Sequence, residues 1–99
     1  MGWATSYIEM LKRGETLEFQ PRGNSMLPRI KSGQLVTVAP VARDAQLAVG
    51  DVVLCRVHGR EYLHYIKAIK SDGKQYVIGN AHGFINGTIS RGQIFGRLV

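Results

Sequence analysis

Residues 50–70 read GDVVLCRVHGREYLHYIKAIK, and they give the strongest indication of the fold class. Residues 51–57 form a near-continuous apolar run of the length and composition that are typical of a buried strand. The turn residues His58-Gly59-Arg60 follow, and they lead into a second strand that is predicted from Glu61 to Lys70. The stretch therefore predicts two neighbouring strands joined by a short turn.

The segments on either side of this stretch also have β character. Alternating or apolar runs predict further strands over residues 16–20, 34–38, 75–78 and 93–99. Asp72-Gly73 is a strong hairpin signal, whereas residues 39–49 and 83–92 are interpreted as surface loops. About six short strands without long helices between them predict a mainly β fold, either a coiled antiparallel sheet or a partly open barrel.

One short amphipathic helix is predicted at the start of the chain. Apolar side chains recur there at helical spacing, at positions Trp3, Tyr7, Ile8 and Leu11. Gly14 lies just beyond this stripe and is a stop signal for a helix. We expect residues 1–14 to pack on the sheet, although a helix that binds a partner would show the same pattern. Residues 1–99 are interpreted as a single domain, because a chain of this size can bury one modest core.

Cysteine usage and hydropathy predict where the protein works. Cys55 is the single cysteine and lies in an apolar run, so it is interpreted as a small core residue that suits a reducing compartment. No stretch approaches the ~20 apolar residues of a membrane span. The N-terminus lacks the basic-then-apolar order of a signal peptide. The sequence therefore predicts a soluble, cytoplasmic protein.

Charge and histidine placement bear on the ligands that the chain could bind. Thirteen Lys and Arg residues against seven Asp and Glu residues give a formal charge of +6. The basic residues are scattered and never form a run of the kind that tracks a phosphate backbone, so nucleic acid is not favoured as a partner. His58 and His82 fall at predicted turns without an acidic cluster. We expect neither a metal nor a cofactor.

The segment most informative about function is PRGNSMLP, residues 21–28. Gly23 stands two residues before Ser25 and leaves space for a close approach by the backbone, while Pro28 can end the turn that presents the hydroxyl. We therefore predict that Ser25 lies at the mouth of a groove, at the start of a short turn or helix.

Three segments occur in an order that resembles the LexA/signal-peptidase superfamily, which includes type I signal peptidases and the self-cleaving LexA and UmuD proteins. They are Gly23-Asn24-Ser25-Met26, Gly50-Asp51-Val52-Val53 and Ser90-Arg91-Gly92-Gln93-Ile94-Phe95-Gly96-Arg97. The resemblance covers roughly residues 19–99, nearly the whole chain. It implies a peptidase-like domain with Ser25 as the serine nucleophile, and with Asn24 and Met26 in the substrate-binding and oxyanion positions.

Two residues are candidates for the base that activates Ser25. His64-Tyr65-Ile66 resembles the His-Arg-Val of archaeal signal peptidases, and Lys67-Ala68-Ile69 resembles the Lys-Arg-Leu of LexA-type members. His64 and Lys67 are three positions apart on one predicted strand and therefore project to opposite faces. At most one of them can approach Ser25 while the strand is regular.

Spacing further along the chain favours His64. Ile78-Gly79-Asn80-Ala81 resembles the Gly-Asp-Ala-Asn segment of the His-type enzymes, at about the distance from His64 that those enzymes would have. Asn80 then takes the supporting position of their Asp, where it can orient an imidazole but cannot stabilise its charged form with a charge of its own. The Lys-type members need no such Asp, so Lys67 remains a candidate for the base.

Two functions follow from these observations. The first is a soluble serine endopeptidase that cleaves a peptide or protein in trans, because no Ala-Gly or Cys-Gly pair is present for self-cleavage and we expect no DNA-binding domain before the fold. The second is a non-catalytic module that binds a peptide or protein by adding it to the sheet as a strand.

Overall fold

The computed structural model describes residues 2–99, which form one α-helix and seven strands. In chain order these are α1 (Thr5–Lys12), β1 (Leu17–Phe19), β2 (Val36–Pro40), β3 (Val52–Val57), β4 (Arg60–Lys70), β5 (Gln75–Gly79), β6 (Ile85–Ser90) and β7 (Ile94–Leu98). All pairings are antiparallel, and the strands form one sheet in the order β1-β2-β7-β3-β4-β5-β6. The edge strands β1 and β6 do not pair, so the sheet stays open. The predicted mainly β class is confirmed.

The hairpin of β3 and β4 lies at the centre of this sheet. The two strands pair from Val57 opposite Arg60 to Val52 opposite Tyr65. The turn between them consists of two residues with positive φ, 51° at His58 and 81° at Gly59, which is the conformation that the tightest hairpin turns require. Strand β3 lies between β4 and β7, so both of its backbone edges are paired. Almost every residue in it is also buried.

Two hydrophobic cores lie on opposite faces of the sheet. The core beneath α1 includes Ile8, Leu11, Met26, Val38, Leu54 and Leu63. The core on the other face includes Val53, Cys55, Ile66, Ile78 and Ile89. Successive side chains of a strand alternate between faces, so β4 contributes to both cores. This packing holds β4 from both sides in the region of His64.

Helix α1 lies on the sheet and begins at Thr5, two residues later than the predicted apolar stripe. Its buried residues Ile8 and Leu11 belong to the first core, and the helix contacts β1, β2 and β7. Gly96 of β7 permits this close approach, because a Cβ atom there would lie 2.9 Å from Leu11 Cδ1. Within residues 2–99, no helix has the length and apolar character needed to cross a membrane.

The interpretation of residues 83–92 as a loop was wrong, because they contain strand β6, which pairs with β5. Asn86 and Gly87 inside this strand read as turn residues in the sequence. Gly87 instead permits a close contact, since a Cβ atom at this position would lie 2.9 Å from Val57 Cγ1. The sheet therefore curls until β6 meets the end of the central hairpin.

Candidate active site

The turn that carries Ser25 connects β1 to β2 and is anchored at several points. Gly33 N–H donates to Pro21 O at 2.7 Å and closes the ends of the turn. The side chains of Met26 and Ile30 are buried in the first core. Ser25 stands between these anchors and is exposed. The local sequence therefore fixes the backbone of the turn while leaving the serine hydroxyl accessible.

A second segment, residues 80–84, supports the turn from the other side. Ala81 N–H donates to Ser25 O at 2.9 Å, and His82 Nε2 lies 2.9 Å from Asn24 O. Asn80 keeps this segment compact, because its Oδ1 accepts hydrogen bonds from the backbone N–H groups of residues 82 and 84. Asn80 makes no hydrogen bond to His64, so the structure does not give it the orienting position that the sequence suggested.

The structure brings Ser25, His64 and Asn86 into one hydrogen-bonded chain. Ser25 Oγ lies 3.1 Å from His64 Nε2, and His64 Nδ1 lies 2.7 Å from Asn86 Oδ1. Because an amide oxygen can only accept a hydrogen bond, Nδ1 carries the proton and its N–H donates a hydrogen bond to Asn86 Oδ1. The unprotonated Nε2 is then the acceptor for the Ser25 hydroxyl. This arrangement has the geometry of a nucleophile, a base and a group that orients the base.

Asn86 is the member of this hydrogen-bonded chain that sequence reasoning missed. It lies at a register shift between β5 and β6, where Ile78 is opposite Gly87 and Gly79 is opposite Ile85, so Asn86 has no partner in the ladder. Such bulges redirect a side chain, and here the side chain points to His64. The Asn-Gly pair inside a supposed loop was its one visible signal.

Lys67 is not brought to Ser25. It lies at a second register shift, in β4 between Ile66 and Ala68, beyond His64 along the strand. Its ammonium nitrogen lies 5.3 Å from the centre of the Tyr65 ring. Within residues 2–99, Lys67 makes no hydrogen bond to the serine, whereas His64 does.

A cleft of about 570 Å³ opens between the Ser25 turn and the first half of β4. Its lining includes Ser25 and Met26 from the turn, and His64 from β4. The exposed Arg22 and Arg60 also line it and give its rim a positive charge. The serine hydroxyl is therefore exposed in a cleft whose wall includes its largely buried histidine partner.

The first half of β4 has a free backbone edge. Ile66 exchanges backbone hydrogen bonds with residues 50–51 on the β3 side. Because successive residues of a strand turn their N–H and C=O groups to opposite edges, Leu63 and Glu61 turn theirs away from β3. Strand β5 covers that edge only as far as Tyr65. Leu63 and Glu61, which both line the cleft, therefore present backbone groups that β5 does not pair.

Trp3 covers one end of this free edge. Its Nε1–H donates to Glu61 O at 3.1 Å, and its ring packs on Phe19. The Glu61 side chain is only 2% exposed, and its Oε2 lies 3.1 Å from Arg56 Nε. This ion pair ties the start of β4 to β3. The N-terminal segment therefore marks a boundary of the cleft.

Other groups that could carry metal or thiol chemistry lie elsewhere. Among residues 2–99, no three His, Cys, Asp or Glu side chains lie close enough together to hold a metal ion. Burial raises the pKa of the Cys55 thiol to about 12, so this thiol stays protonated in the second core. The reactive groups that the structure brings within hydrogen-bond distance in the cleft are the Ser25 hydroxyl and the His64 imidazole.

The environment of His64 favours its neutral form. His64 is 7% exposed, and this burial lowers its pKa below the ordinary value of 6.5. The hydrogen bond to Asn86 raises the pKa and offsets part of the effect. The imidazole is consequently neutral at pH 7, which leaves Nε2 free to accept a proton.

We expect an NMR titration of His64 to give a midpoint below that of the same residue in urea-unfolded protein. Asn86→Ala removes the hydrogen bond that favours the cation, so it should lower the midpoint further. Asn86→Asp should raise it instead, because a carboxylate stabilises the imidazolium. A midpoint equal to that of the unfolded chain, unchanged in both variants, would contradict the contact between His64 and Asn86.

Comparison with known proteins places these elements in a family. Residues 6–94 match the family described as Peptidase S24-like, the domain of the LexA/signal-peptidase superfamily that the sequence resemblance predicted. No curated protein matches the chain at a significant level. The family match includes the Ser25 turn, β4, the 80–84 segment and β6. The chain therefore belongs to the Peptidase S24-like family.

Proposed function

We propose that this protein is a serine endopeptidase that cleaves a peptide or protein in trans, with Ser25 as the nucleophile and His64 as the general base. The observation that carries the proposal is the hydrogen-bonded chain from Ser25 Oγ through the His64 ring to Asn86 Oδ1. A serine hydroxyl is a weak nucleophile until an adjacent base takes its proton, and a neutral buried imidazole can do so at pH 7.

The reaction proceeds through an acyl-enzyme. Ser25 Oγ attacks the carbonyl carbon of the scissile bond while His64 Nε2 takes the hydroxyl proton. When the tetrahedral intermediate collapses, the C–N bond breaks and the imidazolium gives this proton to the leaving amine. Water then attacks the Ser25 ester with His64 again as base, releasing the acid and restoring the hydroxyl.

Asn86 orients the ring in this scheme without neutralising its charge. Its Oδ1 holds the Nδ1–H tautomer, so Nε2 faces Ser25 throughout. An amide carries no negative charge, and burial already disfavours the imidazolium that forms during attack. We therefore expect slower turnover than a carboxylate in this position would support.

The substrate is proposed to bind as an extended strand along the free edge of β4. The N–H and C=O groups of Leu63 would pair with the backbone of the peptide, next to His64 in the cleft. Glu61 O already accepts a hydrogen bond from Trp3, so the paired stretch ends there. Backbone pairing favours a segment that is unfolded or extended over several residues.

The oxyanion of the tetrahedral intermediate needs N–H donors close to Ser25. The backbone N–H groups of Ser25 and Met26 make no hydrogen bond within residues 2–99, and both residues line the cleft. They are proposed to hold the oxyanion. Asn24, the other residue predicted for this role, contributes through its carbonyl, which binds His82.

Incubation with a diverse peptide library, followed by mass spectrometry of the products, tests the proposed function. We expect internal peptide bonds to be cut by the wild-type protein and left intact by Ser25→Ala. A binding module is the second candidate, because the free edge of β4 can capture a peptide whether or not Ser25 reacts. Peptides that bind both proteins and are cut by neither would favour the module and overturn the peptidase.

A further inference from the structure

The 80–84 segment holds two successive carbonyl groups of the Ser25 turn. Ala81 N–H donates to Ser25 O, and His82 Nε2 lies 2.9 Å from Asn24 O. Both contacts join segments that are far apart in the sequence. Asn24 O has one other hydrogen bond within residues 2–99, from Leu27 N–H at 3.3 Å. The histidine contact is the shorter of the two.

Holding these carbonyls also orients the proposed oxyanion donors. A trans peptide unit is planar, and its N–H points opposite to its C=O. The carbonyl of Asn24 shares a peptide unit with the N–H of Ser25, and the carbonyl of Ser25 shares one with the N–H of Met26. Because both carbonyls point to the 80–84 segment, both N–H groups point away from it. Neither has a hydrogen-bond partner within residues 2–99.

We propose that His82 is a positioning residue, which orients the Ser25 N–H for the oxyanion by donating from Nε2 to the Asn24 carbonyl. This inference rests on the proposed peptidase function. Preorganised donors stabilise a transition state because they need not reorient as charge develops. Ala81 acts through its backbone N–H, which every residue except proline provides, whereas the contact to Asn24 depends on the side chain at position 82.

The role of His82 is separable from the folding of its segment. Asn80 Oδ1 holds the backbone of residues 82 and 84, and Asn80 N–H donates to Phe84 O at 2.9 Å. The His82 side chain is exposed and lies outside both hydrophobic cores. Its replacement therefore leaves these backbone bonds in place, and an effect on catalysis would come through the Asn24 carbonyl.

Steady-state kinetics of His82→Ala and His82→Gln test the proposal on a peptide that the wild-type protein cuts. We expect His82→Ala to lower kcat by ~10-fold or more, with KM nearly unchanged. Complete loss of an oxyanion donor lowers kcat by ~10²–10³, and a donor that is only less well oriented should cost part of that factor. His82→Gln should recover most of kcat, because its amide N–H can replace Nε2–H. His58→Ala removes a histidine at the β3–β4 turn, outside the cleft lining, and should lower kcat far less than His82→Ala does.

Affinity for a peptide aldehyde gives a second measurement, because its tetrahedral adduct with Ser25 carries an oxygen in the oxyanion position. His82→Ala should weaken aldehyde binding by about the factor lost in kcat, while binding of the uncleaved peptide, measured in the Ser25→Ala background, should not change. Wild-type kcat in His82→Ala would overturn the role of His82 but not the peptidase function. A loss of kcat that is equally large in His82→Gln would do the same. Absence of cleavage by the wild-type protein would overturn the peptidase function as well.

Discussion

Replacing His64 with alanine is expected to lower the rate of peptide cleavage by ~10² to 10⁴, the usual range for removal of a general base. Lys67→Ala is expected to stay within a few-fold of the wild-type rate. The reason is geometric, because His64 Nε2 lies 3.1 Å from Ser25 Oγ whereas the Lys67 ammonium lies over the Tyr65 ring. A proton can pass directly only between groups within hydrogen-bond distance.

The two variants are matched, since both replace a titratable side chain of β4 with the same residue. Initial rates of cleavage of one peptide at pH 7 rank the two variants, with the rate of Ser25→Ala taken as the background. Circular dichroism and the urea midpoint of each variant show whether the fold is retained. Loss of cleavage in Lys67→Ala, with cleavage retained in His64→Ala, would identify the lysine as the base. Full activity in both variants would exclude both residues as the base.

Ile66→Ala is expected to lower the free energy of unfolding by about 2–5 kcal/mol, the cost of truncating a large aliphatic side chain in a closely packed core. Ile66 is 0% exposed and belongs to the second core, two residues from His64. The lost methylene contacts and the remaining cavity both contribute to this cost. A domain of this size has a total stability of about 5–15 kcal/mol, so the effect would be a large part of it.

Urea denaturation of Ile66→Ala and of Ile85→Ala makes this comparison with the same chemical change at two depths. Ile85 is 49% exposed at the start of β6, and its truncation should cost about 1 kcal/mol or less. Equal losses in the two variants would contradict the core position of Ile66. We also expect Ile66→Ala to reduce cleavage only when the temperature approaches its lowered unfolding midpoint.

The S24-like family match and the Ser25–His64 pair together narrow the expected chemistry. The superfamily resemblance allowed a histidine or a lysine base, and both types of residue are present on one strand. Only the histidine meets the serine in the structure. The other ring nitrogen of the histidine bonds the uncharged Asn86, and burial lowers the pKa of the ring, so we expect Nε2 to stay unprotonated.

Local sequence patterns were enough to predict the mainly β class, the central hairpin and the position of the serine turn. These features follow from local rules, since an apolar run of strand length, a turn with a glycine and a Gly-x-Ser segment each act within a few residues. The family resemblance also rested on segments quoted directly from the chain, and the family is confirmed. Spacing favoured His64 but left Lys67 open, because strand periodicity assigns residues to two faces without saying which face meets Ser25.

Which residues contact one another in the site depends on the tertiary structure. Asn80 looked like the partner of His64 by its spacing, yet its side chain binds the backbone of its own segment. Asn86 reaches the ring because a bulge in β6 and the curl of the sheet bring it across from a different strand. His82 similarly touches a turn 58 positions earlier in the chain. Contacts of this kind depend on register shifts and long-range packing, which local pattern cannot encode.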